Sequence, residues 1–280
     1  MNKTPFNKIL IGFAFSPNLK ANVFEAMRLA EFLGAHLYFL HVGSKSPAKA
    51  KAFTEILEES PIQPKNFSVL WNEGTPIETI SEQCKKNQID LLLLGAMQRE
   101  NMVKFYMGSI ARKLTRNAPC SVLLMIKPSV VRKPSQHFVV NAFESPETKS
   151  TIQAAFHFAQ ALNATKLTLV EEIDRSEVAE EADDDRGLRK VTLRKEKLKR
   201  RELSRVREIL IHIPDTLKEN IKTHSQSIFG TRGYSIGHYA KVVRADLLIM
   251  NSDEKRKRFL ERIFPKDLEH ILSELPTDVL

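Results

Sequence analysis

Apolar residues recur along the chain in two alternating patterns that predict strands and helices in turn. Short runs that are apolar at every position, such as Leu91–Leu94, are typical of strands buried on both faces. Between these runs, apolar residues stand at helical spacing, as at Val23, Met27, Ala30 and Leu33. Buried strands joined by helices predict an α/β fold in which helices cover both faces of a parallel sheet.

The first half of the chain contains five predicted strands that alternate with four predicted helices. Gly34 ends the first helix, and Thr75 caps the third helix with Pro76 at its first position. The predicted strands are 8–15, 36–42, 67–71, 90–95 and 121–126, and the predicted helices are 18–33, 47–59, 76–87 and 109–117.

The second half repeats this pattern after the proline-containing linker 127–136. The segment KNQIDLLLLGA is similar to KVVRADLLIMNS, and NAPCSVL is similar to ELPTDVL, with strand residues about 156 positions apart. Self-similarity of this kind is typical of a duplicated unit. We therefore predict two related domains, residues 1–130 and residues 136–280, in agreement with the length of 280 residues.

Composition narrows the functional classes. The chain is 42% hydrophobic and 28% charged, as globular proteins commonly are, and it has no run of about 18 apolar residues that would predict a membrane span. The N-terminal segment lacks a small-residue cleavage site, so we expect no signal peptide. Two cysteines do not form a disulfide scaffold in a chain of this size, and the expected location is the cytoplasm.

The net charge of +9 is unevenly distributed. Residues 171–185 are acidic and residues 186–207 are basic, and adjacent blocks of opposite sign neutralise one another, which argues against nucleic acid as a partner. Both blocks overlap a charged insert at 175–212, where Asp183–Asp185 is suited to cap a helix. A long solvated helix is one interpretation of the insert, and an arm that docks a partner or contacts nucleic acid is the alternative.

The segment Gly95–Ser109 is the strongest candidate for chemistry. It follows the apolar run of the fourth predicted strand and ends in Gly108-Ser109, immediately before a predicted helix. Backbone N–H groups and the positive end of a helix dipole together suit a phosphate group. An ordinary helix cap would use the same residues, so this segment alone leaves both interpretations open.

With its elements in this order, the chain resembles the universal stress protein family in its tandem two-domain form, strongly over residues 5–128 and more weakly over 136–280. The resemblance implies two Rossmann-like domains of the adenine nucleotide α-hydrolase type, each with a five-stranded parallel sheet flanked by helices. Nucleotide-binding members carry the pattern Gly-x-x-Gly, nine residues, then Gly-Ser or Gly-Thr. Gly95 and Gly108-Ser109 match this pattern, whereas Gln98 stands at the second glycine.

The resemblance also implies further nucleotide-binding positions. Ala14 stands where the family commonly has an aspartate near the adenine or ribose, and Ser16 follows two positions later. Val42 corresponds to a valine that contacts adenine, and Ile110 follows Ser109 in the helix. The implied ligand is ATP or AMP, with Mg²⁺ accompanying ATP. Loss of the aspartate removes one hydrogen-bond acceptor for the nucleoside.

The second domain has largely lost this signature. Asn251 is the counterpart of Gly95, and Pro265-Lys266 align near Gly108-Ser109. Proline lacks the N–H group that a phosphate would need, so we expect no family-type ATP site in this domain. The glycine-dense segment Gly230–Gly237, with Arg232 alongside, is either an anion cradle or a tight strand-to-helix turn.

The resemblance implies a regulatory or protective module of the stress response that binds adenine nucleotide through domain 1. We expect no dedicated enzyme and at most slow ATP hydrolysis. The two domains should pair as a pseudo-dimer, and two chains could associate further or bind a protein partner that the sequence does not identify. The alternatives are a nucleotide-free interaction scaffold with a lost site and an enzyme of the related α-hydrolase fold. We expect structural roles for Cys84 and Cys120, and no metal site among the scattered histidines.

Overall fold

The structure is a computed structural model, and it describes residues 5–95, 97–98, 105–106, 108–178, 184–251, 271–272 and 275–280. The chain divides into two compact units. Unit 1 consists of Met1–Pro134 together with Asp278–Leu280, and unit 2 consists of Ser135–Thr277.

Unit 1 is an α/β unit built on one sheet. Its elements are β1 (Lys8–Phe13), α1 (Leu19–Leu33), β2 (His36–Val42), α2 (Pro47–Glu58), β3 (Phe67–Asn72), α3 (Pro76–Lys86), β4 (Leu91–Gly95), the short pair β5 (Met97–Gln98) and β6 (Phe105–Tyr106), α4 (Ser109–Asn117), β7 (Ser121–Met125) and, from the end of the chain, β12 (Asp278–Val279). The strand order is β3-β2-β1-β4-β7-β12, in which the first five strands are parallel and β12 is antiparallel to β7.

Unit 2 repeats the plan. Its elements are β8 (His137–Asn141), α5 (Thr148–Leu162), β9 (Lys166–Asp174), a 3-10 turn (Arg175–Val178), α6 (Asp185–Ile211), α7 (Asp215–Lys218), β10 (Lys222–Gly230), α8 (Tyr234–Val242) and β11 (Leu247–Ile249). Its described strands are all parallel and follow the order β11-β8-β9-β10. The predicted α/β class is thus confirmed, with a sheet of parallel strands in each unit.

One hydrogen-bond arrangement occurs in both units at the same place. The Asp90 carboxylate accepts the backbone N–H groups of Asn7 and Lys8, each at 2.9 Å. The Asp246 carboxylate accepts those of Gln136 and His137 at 2.7 and 2.9 Å. In each case an aspartate immediately before a strand fixes the first residues of the parallel strand beside it, which supports the predicted duplication.

Helix ends are duplicated as well. Gly34 ends α1 in the left-handed region at φ 65°, and Asn163 ends α5 at φ 58°. After each, the next N–H group returns to the last turn, from Ala35 to Ala30 and from Ala164 to Ala159, both at 2.8 Å. Glycine and asparagine are the residues that adopt this conformation at least cost, so Gly34 ends the helix where the sequence predicted.

Two expectations about strands need correction. Strand β1 ends at Phe13 rather than residue 15, because the backbone turns at once: the N–H of Ser16 donates to the carbonyl of Ala14 at 2.8 Å. The last strand, expected to complete the second sheet, lies in unit 1 instead. Val279 pairs with Leu124 there, and the Asp278 carboxylate accepts the N–H of Ile126 at 2.8 Å.

The charged insert forms the 27-residue helix α6, which the Asp184 side chain caps by accepting the N–H of Gly187 at 2.6 Å. Asp183, part of the predicted cap, lies outside the described residues. One stripe of α6 is buried, since Leu198 is 6% and Val206 0% exposed. The insert is therefore a long helix, as one interpretation predicted, and it is packed along one side and solvated along the other.

Candidate functional site

The carboxyl edge of the unit 1 sheet brings three of the predicted site residues to one level. The last β1–β2 pair is Phe13 with His41, so Ala14 and Val42 follow it side by side. The last β1–β4 pair is Ile11 with Leu93, two residues before the end of each strand, and β4 ends in the exposed Gly95. In open parallel sheets, ligands bind at this edge, where strand order reverses beside the first strand.

Helix α4 supplies a set of N–H groups that no side chain caps among the described residues. Gly108 is its N-cap with extended backbone, and the first turn contains no acidic residue. The first N–H that returns to the helix is that of Arg112, which donates to the Gly108 carbonyl at 2.9 Å. The N–H groups of Ser109 and Ile110 therefore lack a partner within the helix. Because α4 connects two parallel strands, its N-terminus lies toward the carboxyl edge.

A polar side chain that the sequence did not single out stands beside Gly95. A β-carbon built on Gly95 would lie 3.3 Å from Asn22 Oδ1, so only glycine leaves this side chain undisturbed. Asn22 Oδ1 is itself buried, and it has no hydrogen-bond partner among the described residues. A buried acceptor without a partner costs free energy unless a ligand or water satisfies it. Asn22 comes from the second turn of α1, and only the three-dimensional packing brings it to β4.

Aromatic rings line the edge near Ala14 and Val42. The ring of Phe15, 41% exposed, lies 5.4 Å from that of His41, which in turn lies 4.9 Å from the ring of Trp71. His41 is buried, and its Nδ1 lies 3.1 Å from the carbonyl of Phe13. This arrangement fixes the imidazole between β1 and β3, and leaves Phe15 as the accessible ring.

Ala14 and Ser16 are both exposed in the turn after β1, while Val42 is half-buried. An alanine methyl group offers no hydrogen bond, so the acceptor that the family commonly places here is absent from this position. Gln98 lies in the short strand β5, which pairs with β6, and its side chain lies outside the described residues.

In unit 2, side chains occupy the corresponding edge. Asn251, the counterpart of Gly95, donates from Nδ2 to the hydroxyl of Ser145 at 3.1 Å, and Ser145 is the counterpart of Ser16. Phe143 replaces Ala14, and the guanidinium of Arg232 lies 5.2 Å from its ring. Arg205 of α6 donates to the carbonyl of Ala142. The segment 252–270, which includes Pro265-Lys266, lies outside the described residues.

The glycine-dense segment at Gly230–Gly237 does hold an anion, but one from the protein itself. The buried carboxylate of Glu172 accepts the N–H groups of Gly233 and Ile236 at 2.8 and 2.9 Å. These groups form the N-terminus of α8, where a negative charge is favourable. The tight strand-to-helix turn is therefore the correct interpretation of this segment.

A second buried glutamate of β9 has a perturbed ionisation. Glu171 is 1% exposed and accepts a hydrogen bond from the Ser227 hydroxyl at 2.8 Å, while its other oxygen has no partner in the part of the chain that the structure describes. Burial raises the pKa of Glu171 above its ordinary value, and nearby Glu202 acts in the same direction. Arg205 opposes both effects, and it also pairs with Glu202 at 2.9 Å.

No group of three metal-ligating side chains comes together in the described part of the chain. The helices described are also too short or too polar to cross a membrane.

Comparisons with known proteins show what this chain is similar to. Residues 55–125 match the universal stress protein family. A universal stress protein of Methanocaldococcus jannaschii is 25% identical over 123 residues, which cover 37% of this chain and 72% of that protein.

Two solved structures share the fold over 100% of this chain. A protein of unknown function from Pseudomonas aeruginosa has a TM-score of 0.69 at 17% identity, with 93% of its chain covered. A universal stress protein from Archaeoglobus fulgidus has a TM-score of 0.65 at 15% identity, with 98% covered. At these identities the structural similarity shows only a shared fold, whereas the similarity to the family rests on the two sequence matches.

Proposed function

We propose that this chain, whose first unit carries a universal stress protein domain, is a regulatory protein that binds an adenine nucleotide at the carboxyl edge of unit 1. The observation that carries the proposal is the uncapped N-terminus of α4, since phosphate groups bind well to such N–H groups. The partnerless Asn22 Oδ1 beside Gly95 supports it, because a ligand donor could satisfy that atom.

The two ends of a nucleotide would find different surroundings. The phosphates would face the first turn of α4, while the base would lie near Ala14 and Val42, where Phe15 offers an exposed aromatic ring. Base–aromatic stacking contributes about 1–3 kcal/mol per base in other nucleotide sites. We infer that stacking partly compensates for the acceptor that Ala14 lacks. ATP with Mg²⁺ and AMP are both included in the proposal.

Binding rather than turnover is the proposed activity, with at most slow ATP hydrolysis. We further propose a cytoplasmic location and a protein partner whose binding depends on the nucleotide. Unit 2 is not proposed to bind nucleotide, since Asn251 and Arg205 already occupy its corresponding edge.

The test combines two measurements on the full chain. Native mass spectrometry of the purified protein should reveal ATP or AMP that has co-purified. Titration with ATP and Mg²⁺, or with AMP, should change the fluorescence of Trp71, the only tryptophan, whose ring lies 4.9 Å from that of His41 at this edge. Absence of both signals, with no thermal shift at millimolar nucleotide, would favour the nucleotide-free scaffold instead.

Variants at Ile110 make the test specific. This side chain is 44% exposed in the first turn of α4, so replacing it should not disturb the core. Ile110→Asp places a negative charge where the phosphates would lie and should weaken binding at least about tenfold. Ile110→Asn, similar in size but neutral, is the matched control and should stay within about threefold of the parent. Equal effects of the two variants would place the phosphates elsewhere.

A further inference from the structure

The two cysteines of the chain lie next to each other, although 36 positions separate them in the sequence. The N–H of Ile89 donates to the carbonyl of Cys84 at 2.9 Å, and the N–H of Ser121 donates to the carbonyl of Asp90 at 3.1 Å. Ile89 and Asp90 are the two residues immediately before β4. Ile89 bonds to Cys84 itself, and Asp90 bonds to Ser121, the residue that follows Cys120. Each thiol shifts the pKa of the other, as groups in close proximity do.

The two thiols differ in exposure and in chemistry. Cys84 is 1% exposed within α3, whereas Cys120 is half-buried at the start of β7. The interaction between the two thiols raises the pKa of Cys84 and lowers that of Cys120. Burial raises the pKa of Cys84 further, and the N–H of Leu92 lowers that of Cys120. Since the thiolate is the reactive form, Cys120 is both the more accessible and the more nucleophilic member.

We propose that Cys84 and Cys120 form an intramolecular disulfide when the protein meets a peroxide, with Cys120 as the attacking thiol and Cys84 as the resolving thiol. The Cys120 thiolate attacks the peroxide oxygen, the O–O bond breaks, and Cys120 becomes a sulfenic acid while hydroxide leaves and is protonated to water. The sulfur of Cys84 then attacks the Cys120 sulfur, and the S–O bond breaks with release of a second water. The peroxide is reduced to two water molecules, and the two thiols lose two electrons and two protons.

The bond would close a ring that contains β4, α4 and the whole segment between them. A cross-link across a ring of this size stabilises the folded state chiefly by restricting the unfolded chain. The cysteine pair lies away from the proposed nucleotide site, because both cysteines are toward the opposite edge of the sheet, where its parallel strands begin.

The experiment treats the full chain, under native conditions, with a small molar excess of hydrogen peroxide. Intact mass should fall by two hydrogen atoms, and a non-reducing tryptic map should join the Cys84 and Cys120 peptides, which four lysines and three arginines otherwise separate. Dilution should leave the yield unchanged, as an intramolecular reaction requires. The urea midpoint reported by Trp71 should rise by about 1 M and return after reduction.

Two variants separate the roles, and both should fold because serine is close to cysteine in size. In Cys84→Ser, peroxide should leave a Cys120 sulfenic acid that dimedone traps. In Cys120→Ser, the buried Cys84 should stay reduced on the same timescale. If the parent chain instead accumulates a sulfinic acid on Cys120, keeps both thiols, or links only between chains, the proposal is wrong, and this result does not depend on either variant.

Discussion

The duplicated aspartate bridges allow a local account of stability to be tested in each unit. In Asp90→Ala, the N–H groups of Asn7 and Lys8 lose a charged acceptor that lies 2.9 Å from each. A hydrogen bond to a charged group contributes about 1.5–3 kcal/mol, and partial access to water places these bonds at the low end. We therefore expect unit 1 to lose about 3 kcal/mol of unfolding free energy.

Trp71 makes the measurement specific to one unit, because it is the only tryptophan and lies in unit 1. With a urea m-value of about 2 kcal/mol/M, the fluorescence midpoint of Asp90→Ala should fall by about 1.5 M. Asp90→Asn keeps an oxygen that can accept both bonds and should lose only about 1 kcal/mol. The matched control, Asp246→Ala, should shift the circular dichroism transition of unit 2 and leave the Trp71 midpoint nearly unchanged.

Two outcomes would refute this reasoning. A fall of less than about 0.5 M for Asp90→Ala would mean that water replaces the carboxylate without cost. An Asp246→Ala chain whose Trp71 midpoint falls as far as that of Asp90→Ala would show that the bridge does not act within its own unit.

Three further predictions concern the buried charges and a helix end. Because burial raises the pKa of Glu171, the folded state binds more protons than the unfolded state between pH 4.5 and the raised pKa. Unit 2 should therefore lose stability as the pH rises through this range. Urea titrations at a series of pH values should show this decline in the parent chain and a flatter one in Glu171→Gln. Arg205→Leu removes a partner at 2.9 Å from the buried Glu202 and should destabilise unit 2 by about 3 kcal/mol, measured by circular dichroism with Trp71 fluorescence unchanged. Gly34 lies at φ 65° with open space around it, so Gly34→Ala should lower the unfolding free energy of unit 1 by about 1 kcal/mol through backbone strain alone. An unchanged midpoint in the Trp71 fluorescence assay would show that this strain is absent.

Local patterns in the sequence predicted most of the fold because they depend on neighbouring residues. The buried run at Leu91–Leu94 became β4, and Gly34 ended α1, since burial on both faces and a left-handed conformation each leave a mark within a few positions. The extent of β1 was less predictable. Phe15 is apolar like a strand residue, yet the chain has already turned at Ala14.

The contacts that shape the candidate site join residues far apart in sequence, and no local signal marks them. Asn22 gives no indication that it faces Gly95. Glu172 looks like part of an acidic block, but it occupies the N-terminus of α8. The adjacency of Cys84 and Cys120 depends on the register of β4 with β7, so their separate sequence contexts suggested only structural roles. Pairings of this kind follow from packing, which a one-dimensional pattern does not contain.

The two units differ most at the carboxyl edge of the sheet, where the side chains contribute least to folding. Strand starts and helix ends have equivalent bonds in both units, because removing a bridge such as that of Asp90 would leave partly buried N–H groups without that acceptor. At the carboxyl edge, by contrast, Gly95 in unit 1 leaves Asn22 Oδ1 without a partner, while Asn251 in unit 2 bonds to Ser145. A polar atom that bonds within the protein stabilises the fold, but it is no longer available to bind a ligand. A polar atom without a partner lowers the free energy of unfolding, and the binding of a ligand can offset that loss. Asn22 Oδ1, together with the uncapped N-terminus of α4, is therefore the best physical reason to look for the ligand at the edge of unit 1.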